Sequence, residues 1–254
     1  MRAIVLAAGL GMRLRPLTNS VPKCLVPIHG RPLLDYWLDL LLSSDFERIL
    51  INTHHLAGAV REYIASSPWH RQVDLVHEDE LLGTGGTILR NRDYLGGRPF
   101  LVAHGDNLTR FNVRAFVQRH AIRPCGTEIT MMTFRTDSPQ SCGIVQVDGS
   151  GVVTGFYEKV ANPPGDCANA AVYIFEPSLI DFLASLGKPV IELSTDVLPH
   201  YLGRIATFHN ADYHRDIGTI ESLNTARLDF SLGTSSAETS SRPLKKSADK
   251  AVRI

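Results

Sequence analysis

Residues 1–8, Met-Arg-Ala-Ile-Val-Leu-Ala-Ala, are apolar at nearly every position, the pattern of a strand buried on both faces inside a parallel sheet. Past Gly30-Arg31-Pro32 the spacing changes. Leu33, Leu34, Trp37, Leu38, Leu41 and Leu42 recur at helical intervals, and Pro32 suits a first helical position. Further strands are predicted at 48–52, 73–77 and 99–104, alternating with helices at 57–66, 85–92 and 113–120. Such βαβ alternation implies right-handed crossovers, helices on both faces of a sheet, and ligands at the carboxyl ends of its strands. After Thr127 strand-like runs dominate, at 128–134, 143–147, 153–158 and 170–175, divided by Gly and Pro, so the sheet is expected to become mixed. Helices at 177–186 and 194–201, a strand at 205–209 and a helix starting near Ile220 complete the series.

From Leu232 the chain turns to Gly, Ser, Thr, Lys and Glu, a composition that cannot offset the entropy of ordering, so 232–254 is expected to be a disordered tail. Residues 1–231 then form one domain whose pattern changes between 1–127 and 128–231. No hexapeptide repeat predicts a β-helix.

Composition narrows the classes. With 254 residues, 44% hydrophobic and 20% charged, the chain has the make-up of a globular protein with a full core. Its formal net charge of zero removes the global positive field that draws in nucleic acid. The apolar run near Leu38–Leu42 is far too short to span a bilayer and the N-terminus enters a strand directly, so a cytoplasmic protein with no membrane partner is expected. Cys24, Cys125, Cys142 and Cys167 lack the spacing of a zinc site or a disulfide framework.

Chemistry concentrates after the first strand. Gly9-Leu10-Gly11 followed by Arg13, Arg15 and Lys23 makes a phosphate cradle: glycines let backbone N–H groups approach, and the cations supply charge-assisted bonds. Leu14 stands where a dinucleotide fingerprint needs glycine, and Lys23 lies too far from the glycines for a P-loop. Leu82-Gly83-Thr84-Gly85-Gly86-Thr87 opens a helix with small residues that permit close backbone approach. Asp106, in Gly105-Asp106-Asn107, falls at the carboxyl end of a strand, where a carboxylate suits magnesium; Asp216 precedes the last helix. Each aspartate alone could also cap a helix or turn, and an exposed Glu158-Lys159 pair could be a solvated strand face.

The run Leu6-Ala7-Ala8-Gly9-Leu10-Gly11-Met12-Arg13-Leu14-Arg15-Pro16-Leu17-Thr18, with Pro22-Lys23-Cys24-Leu25-Val26-Pro27 after it, closely resembles the signature of the sugar-1-phosphate nucleotidyltransferases. Related landmarks continue to about Leu228, and the resemblance implies a nucleotide-binding half at 1–127 and a sugar-binding half at 128–231. The resemblance implies a Rossmann-like three-layer αβα sandwich with a mostly parallel central mixed sheet. It also implies a reaction joining a nucleoside triphosphate to a sugar 1-phosphate with release of pyrophosphate. By that resemblance Leu6, Ala8, Gly9, Gly11 and Arg13 would hold the nucleotide, with Gly85 and Gly86 along the base. Lys23 would touch the phosphates at the reacting centre, and Asp106 and Asp216 would hold Mg2+. Gly143, Glu158, Lys159 and Asn169 would meet the sugar phosphate.

Two departures stand out: Val160-Ala161-Asn162-Pro163 follows the Glu-Lys pair, and Ala170-Ala171 follows Asn169 where glycine is common. The landmarks are most like those of bacterial guanylyltransferases acting on mannose 1-phosphate or D-glycero-D-manno-heptose 1-phosphate of surface polysaccharide pathways. Uridylyltransferases for N-acetylmuramate 1-phosphate and thymidylyltransferases for glucose 1-phosphate share them; regulatory subunits that bind nucleotide sugars without catalysis share the fold but usually lose the cradle arginine or a metal aspartate, whereas Arg13, Lys23, Asp106, Lys159 and Asp216 are all present here. A cytidylyltransferase of isoprenoid or cofactor synthesis would not predict Glu158-Lys159 together with Asp216. Relatives of this kind form dimers or tetramers, so a homodimer is admitted.

Overall fold

A computed structural model describes residues 1–230; the expected tail at 232–254 lies outside the described residues. In chain order the elements are β1 (Arg2–Leu6), β2 (Pro27–Ile28), β3 (Arg31–Pro32), α1 (Leu33–Leu42), β4 (Ile49–Thr53), α2 (Ala57–Ser66), β5 (Val73–His77), α3 (Gly83–Arg90), α4 (Arg92–Leu95) and β6 (Phe100–His104). There follow β7 (Asn107–Arg110), α5 (Val113–Ala121), β8 (Ile129–Arg135), β9 (Gly143–Val147), β10 (Val153–Glu158), β11 (Cys167–Phe175) and α6 (Ser178–Ser185). The series ends with β12 (Ile205–His209), β13 (Tyr213–Asp216) and α7 (Ile220–Asp229).

The main sheet runs β10-β9-β11-β6-β1-β4-β5, with β8 on β11 and β12 on β8. The β6-β1-β4-β5 block is parallel, while β11 joins β6 antiparallel, which makes the sheet mixed. Alternation along β1 supplies both layers of core. Ala3 and Val5 face the side covered by Trp37 and Leu38 of α1, Ile64 of α2 and Phe116 of α5. Ile4 and Leu6 face Ile88 of α3, Leu95 of α4 and Leu183 of α6. This is the three-layer αβα arrangement expected from the sequence. None of the described helices is long and apolar enough to cross a membrane.

Because β4 lies on one side of β1 and β6 on the other, the chain reverses direction across the sheet at β1. The crevice at the carboxyl ends of β1 and β6, where Leu6 pairs with His104, is therefore the topological switch point. Two short strands, β7 and β13, were not anticipated; they pair antiparallel with Asp216 opposite Asn107. A third apolar cluster of Leu14, Ile28, Leu33, Leu108, Ile217 and Leu223 locks the N-terminal loop against this pair and α7. The helix expected at 194–201 is present in irregular form, a π-helical turn at Leu193–Val197 followed by a 3-10 turn at Leu198–Tyr201.

On the far side of the sheet, His120 of α5 is buried, accepts or donates at Nδ1 with Thr130, and places Nε2 3.3 Å from Glu176 without a hydrogen bond. Burial and the nearby Arg123 push its pKa down to about 4, Glu176 only partly opposing them. A histidine held neutral in the folded state stabilises above its unfolded value near 6.5 and loses that contribution as pH falls toward 4, because the unfolded chain takes up the proton first. Urea unfolding should therefore show stability falling by up to about 3 kcal/mol between pH 6.5 and 4 from this group. His120→Gln should flatten that slope; an unaltered slope would show that the acid sensitivity lies elsewhere.

Candidate active site

The crevice opens into a cavity of about 300 Å³ lined by Arg13, Asp106, Glu158, Lys159, Asn169 and Asp216 among others. A second hollow, of about 370 Å³, lies between α1, β7 and Phe230. The expected charged constellation converges on the first.

The floor is built from the N-terminal loop. Gly11 adopts a left-handed φ of 62°, and a Cβ there would come within 2.8 Å of Thr18 Cγ2. Its carbonyl accepts from Leu14 N–H and from Thr18 Oγ1, which folds the loop back beneath Arg13. Gly9 is open on its Cβ side, so its backbone can be approached closely. Leu6 and Ala8 are buried below, with Ala7 N–H donating to Asn52 Oδ1 at 2.7 Å. Asn52 Nδ2 donates to Glu78, a carboxylate only 2% exposed, which also accepts from Thr87 Oγ1 at 2.6 Å. This buried relay joins β1, β4, the end of β5 and α3 into one platform.

Above the floor sits the densest charge. Lys23, held in a tight turn at Lys23–Leu25, is 8% exposed, and its Nζ lies 2.6 Å from Asp106 Oδ2 and 3.6 Å from Asp216 Oδ1. Arg13 Nη2 stands 3.7 Å from Asp216 Oδ2. Burial pushes the Asp106 carboxyl up, but the Lys23 ammonium, His104 and hydrogen bonds to the carboxylate together hold the group below the usual carboxylate range. The aspartates meet because β7 and β13 pair, and because Ile217 N–H donates to the Asp106 carbonyl at 3.2 Å. Trp37 Nε1 anchors β7 through the Asn107 carbonyl at 2.8 Å. Gly218 leaves the room this needs: a Cβ there would lie 2.7 Å from Asp216 Oδ2 and 2.8 Å from Arg13 Nη2.

The opposite wall carries Gly143, Glu158, Lys159 and Asn169. A Cβ on Gly143 would stand 2.6 Å from Glu158 Oε2, so the glycine seats that carboxylate. Lys159 is 65% exposed, with Nζ 3.3 Å from Glu158 Oε1. The departure at Ala171 has a geometric meaning. β11 shifts register between Asn169 and Tyr173, Ala171 takes a φ of 52°, and Asn169 Oδ1 braces it by accepting its N–H.

Gly85 and Gly86 require a correction. The resemblance sets them along the base, but their N–H groups both point at the Ile191 carbonyl, at 2.8 and 3.3 Å. A Cβ on Gly85 would collide with Ile191 Cγ2 at 2.7 Å, so the glycines make room for the 191–192 segment. Glu192 completes that cover by accepting from Thr84 N–H and Oγ1. Sequence reasoning also passed over His104, Phe134, Tyr173, Glu192 and His214, which all line the cavity. Each histidine stands two residues before one of the two aspartates, a repeated His-x-Asp spacing that could have flagged them. Burial lowers the pKa of His104 and pushes that of His214 down to about 3, so both are neutral walls.

The nucleotidyl transferase family profile matches residues 2–231. The chain is 31% identical over 236 residues to a mannose-1-phosphate guanylyltransferase of Mycobacterium tuberculosis, covering 91% of this chain and 65% of that protein. It is 30% identical over 237 residues to a UTP–glucose-1-phosphate uridylyltransferase of Synechocystis, covering 87% and 61%. The chain thus spans less than two thirds of the length of these curated relatives. Among solved structures, a putative glucose-1-phosphate thymidylyltransferase from Bacillus anthracis in complex with sucrose superposes with a TM-score of 0.82 at 22% identity, covering 92% of this chain and 97% of that one. HddC from Yersinia pseudotuberculosis complexed with GMP-PN gives 0.76 at 25% identity, covering 91% and 99%.

Since the Asn52 amide serves Ala7, Glu78 and Thr87 at once, Asn52→Ala should lower unfolding free energy by about 1–3 kcal/mol in urea titrations. An unchanged midpoint would mean that the platform does not depend on this relay.

Proposed function

The chain belongs to the nucleotidyl transferase family, and from that premise we propose that it transfers a nucleotidyl group from a nucleoside triphosphate, GTP by preference, to a sugar 1-phosphate. The favoured acceptors are manno-configured, mannose 1-phosphate or D-glycero-D-manno-heptose 1-phosphate. The observation that carries the reading is the Arg13, Lys23, Asp106 and Asp216 cluster at the carboxyl ends of β1 and β6, facing Glu158 and Lys159 across one cavity. Preference for GTP draws support from the guanylyltransferase relative and from the neighbour complexed with GMP-PN.

In the reaction an oxygen of the sugar phosphate bonds to the α-phosphorus while the bond from that phosphorus to the bridging oxygen breaks and pyrophosphate leaves. No general base is needed, because a phosphate monoester with a second pKa of about 6 is already mostly dianionic at neutral pH. The chain's work is therefore positioning and neutralisation. Arg13, 68% exposed, reaches over the cradle to counter charge on the triphosphate and on departing pyrophosphate. Lys23 lies at the junction of the two substrates, and Lys159 holds the sugar phosphate as a point charge on the other wall.

Magnesium fits the donor set. Asp106 and Asp216 offer hard oxygens around a spot where the Lys23 ammonium already shows that positive charge is accommodated. Two aspartates supply only two protein ligands, so an ion held there would take the rest from phosphates and water. Bound there, it would neutralise phosphate charge in the transition state.

Asp106→Asn and Asp216→Asn should each cut pyrophosphate release by about a hundredfold or more while leaving the thermal midpoint and circular dichroism near those of the parent chain. Near-normal magnesium-dependent turnover in either variant would remove that residue from the metal. A panel of GTP, UTP, dTTP and CTP against mannose, glucose, heptose and N-acetylmuramate 1-phosphates should give the fastest release with GTP and a manno-configured acceptor. Turnover with UTP alone would overturn the guanylyl assignment.

A further inference from the structure

The second hollow takes no part in the chemistry above, and its walls come from separate stretches of chain. Tyr36, Asp39, Leu40 and Ser43 recur at three- and four-residue intervals, so they form one stripe of α1, while Arg31, Thr109, Arg110 and Phe230 close the sides. Tyr36 and Phe230 meet edge-on with ring centres 5.3 Å apart. The Arg31 guanidinium lies over the Tyr36 ring at 4.9 Å, and that of Arg110 over the Phe230 ring at 5.4 Å. Half-buried Leu40 adds aliphatic surface. The result is a trough of about 370 Å³ with an apolar lining and a cationic border.

Phe230 decides where the chain goes next. Its N–H donates to the Ala226 carbonyl at 3.0 Å, its own carbonyl accepts from His29 Nε2 at 2.8 Å, and its ring packs between Tyr36 and Tyr213. Backbone and side chain are both held, so residue 231 has to start at the rim of the hollow. Consecutive Cα atoms are about 3.8 Å apart, so the Leu232 Cα can lie no more than about 7.6 Å from that of Phe230. A tether this short gives Leu232 an effective concentration at the trough on the order of millimolar or more.

The sequence past Phe230 suits such a site. Leu232 is the single large apolar residue in 231–242, and 231–237 carry no charge to conflict with the border of the trough. Further on, 238–254 hold five Lys and Arg against two Asp and Glu, which leaves 1–230 with a formal charge of −3. Segment and body therefore attract one another.

We propose that this hollow is the docking site of the chain's own residues 231–238, with the Leu232 side chain seated between Tyr36, Leu40 and Phe230. The inference goes beyond nucleotidyl transfer and does not depend on it. Tyr213 packs on Phe230 at 5.0 Å and stands opposite Arg110 in the pairing of β7 with β13, so the seated segment clamps the arm that ends at Asp216.

Methyl NMR on the full chain tests this. The Leu232 methyl signals, assigned by their loss in Leu232→Met, should lie upfield of their free-peptide positions and give cross-peaks to the ring protons of Tyr36 and Phe230. Ser43→Trp, which fills the trough from an exposed position on its rim, and Leu40→Asp, which makes its lining polar, should each abolish those cross-peaks and return the methyls to the free-peptide positions. Unchanged methyl signals from Ile4 and Val5 in the same spectra will show that the sheet is intact. A benzophenone side chain in place of Leu232 identifies the occupant: photo-crosslinks should form within one chain, to residues 31–43 or 107–112. Free-peptide methyl positions in the parent chain, cross-peaks that persist in both variants, or crosslinks that join two chains would each overturn the proposal, the last because a second copy would then supply the segment.

Discussion

The arrangement hangs on one buried ammonium. Lys23 Nζ lies between carboxylates from two distant parts of the chain, 2.6 Å from Asp106 and 3.6 Å from Asp216. Without a positive charge there, two aspartates converging on a cavity would repel one another and the ends of β7 and β13 would be driven apart. With it, the N-terminal loop that carries Lys23 becomes part of the same unit as the last strand and helix. The apolar cluster of Leu14, Leu33, Leu108, Ile217 and Leu223 closes around that unit from below. Electrostatics at the top and burial beneath thus enforce the same geometry.

Much of this was legible in the chain because it is written locally. A continuous apolar run made β1, helical spacing made α1 and α2, and glycines followed by cations marked the cradle. The αβα layering followed from alternation along β1, with Ala3 and Val5 on one face and Ile4 and Leu6 on the other. What escaped was written only in three dimensions. Asn107–Arg110 and Tyr213–Asp216 are short and polar, too brief for a period-two pattern, and each is a strand only because the other is present. Gly85 and Gly86 announced a close approach correctly, but the approaching group is Ile191 of the same chain, which no spacing near residue 85 could disclose. The left-handed Ala171 likewise makes sense only once the register shift in β11 is seen.

Several glycines here serve side chains rather than turns. Gly143 gives Glu158 its place and Gly218 gives Asp216 and Arg13 theirs. In both cases the missing Cβ is a mould for a neighbour's charged group, so the functional wall is specified partly by atoms that are absent. The same logic explains why neutral groups fill the rest of the wall. Burial keeps His104 and His214 uncharged, so the field in the cavity comes from the few carboxylates and cations that the glycines hold in place.

The pairing of β7 with β13 also bears on how the molecule comes into being. Thr109 accepts no strand partner until the chain reaches Tyr213, whose carbonyl it then bonds across 104 positions. During synthesis, which runs from the N-terminus, the cradle and Lys23 emerge long before Asp216 exists. A growing chain therefore carries a half-built pocket with one carboxylate beside Lys23, and the second arrives only with β13, the last of the described strands. Loop closure on that scale is slow relative to local folding. The charge cluster is completed at the end of folding, so its integrity reports on whether the whole sheet and the terminal helix have docked.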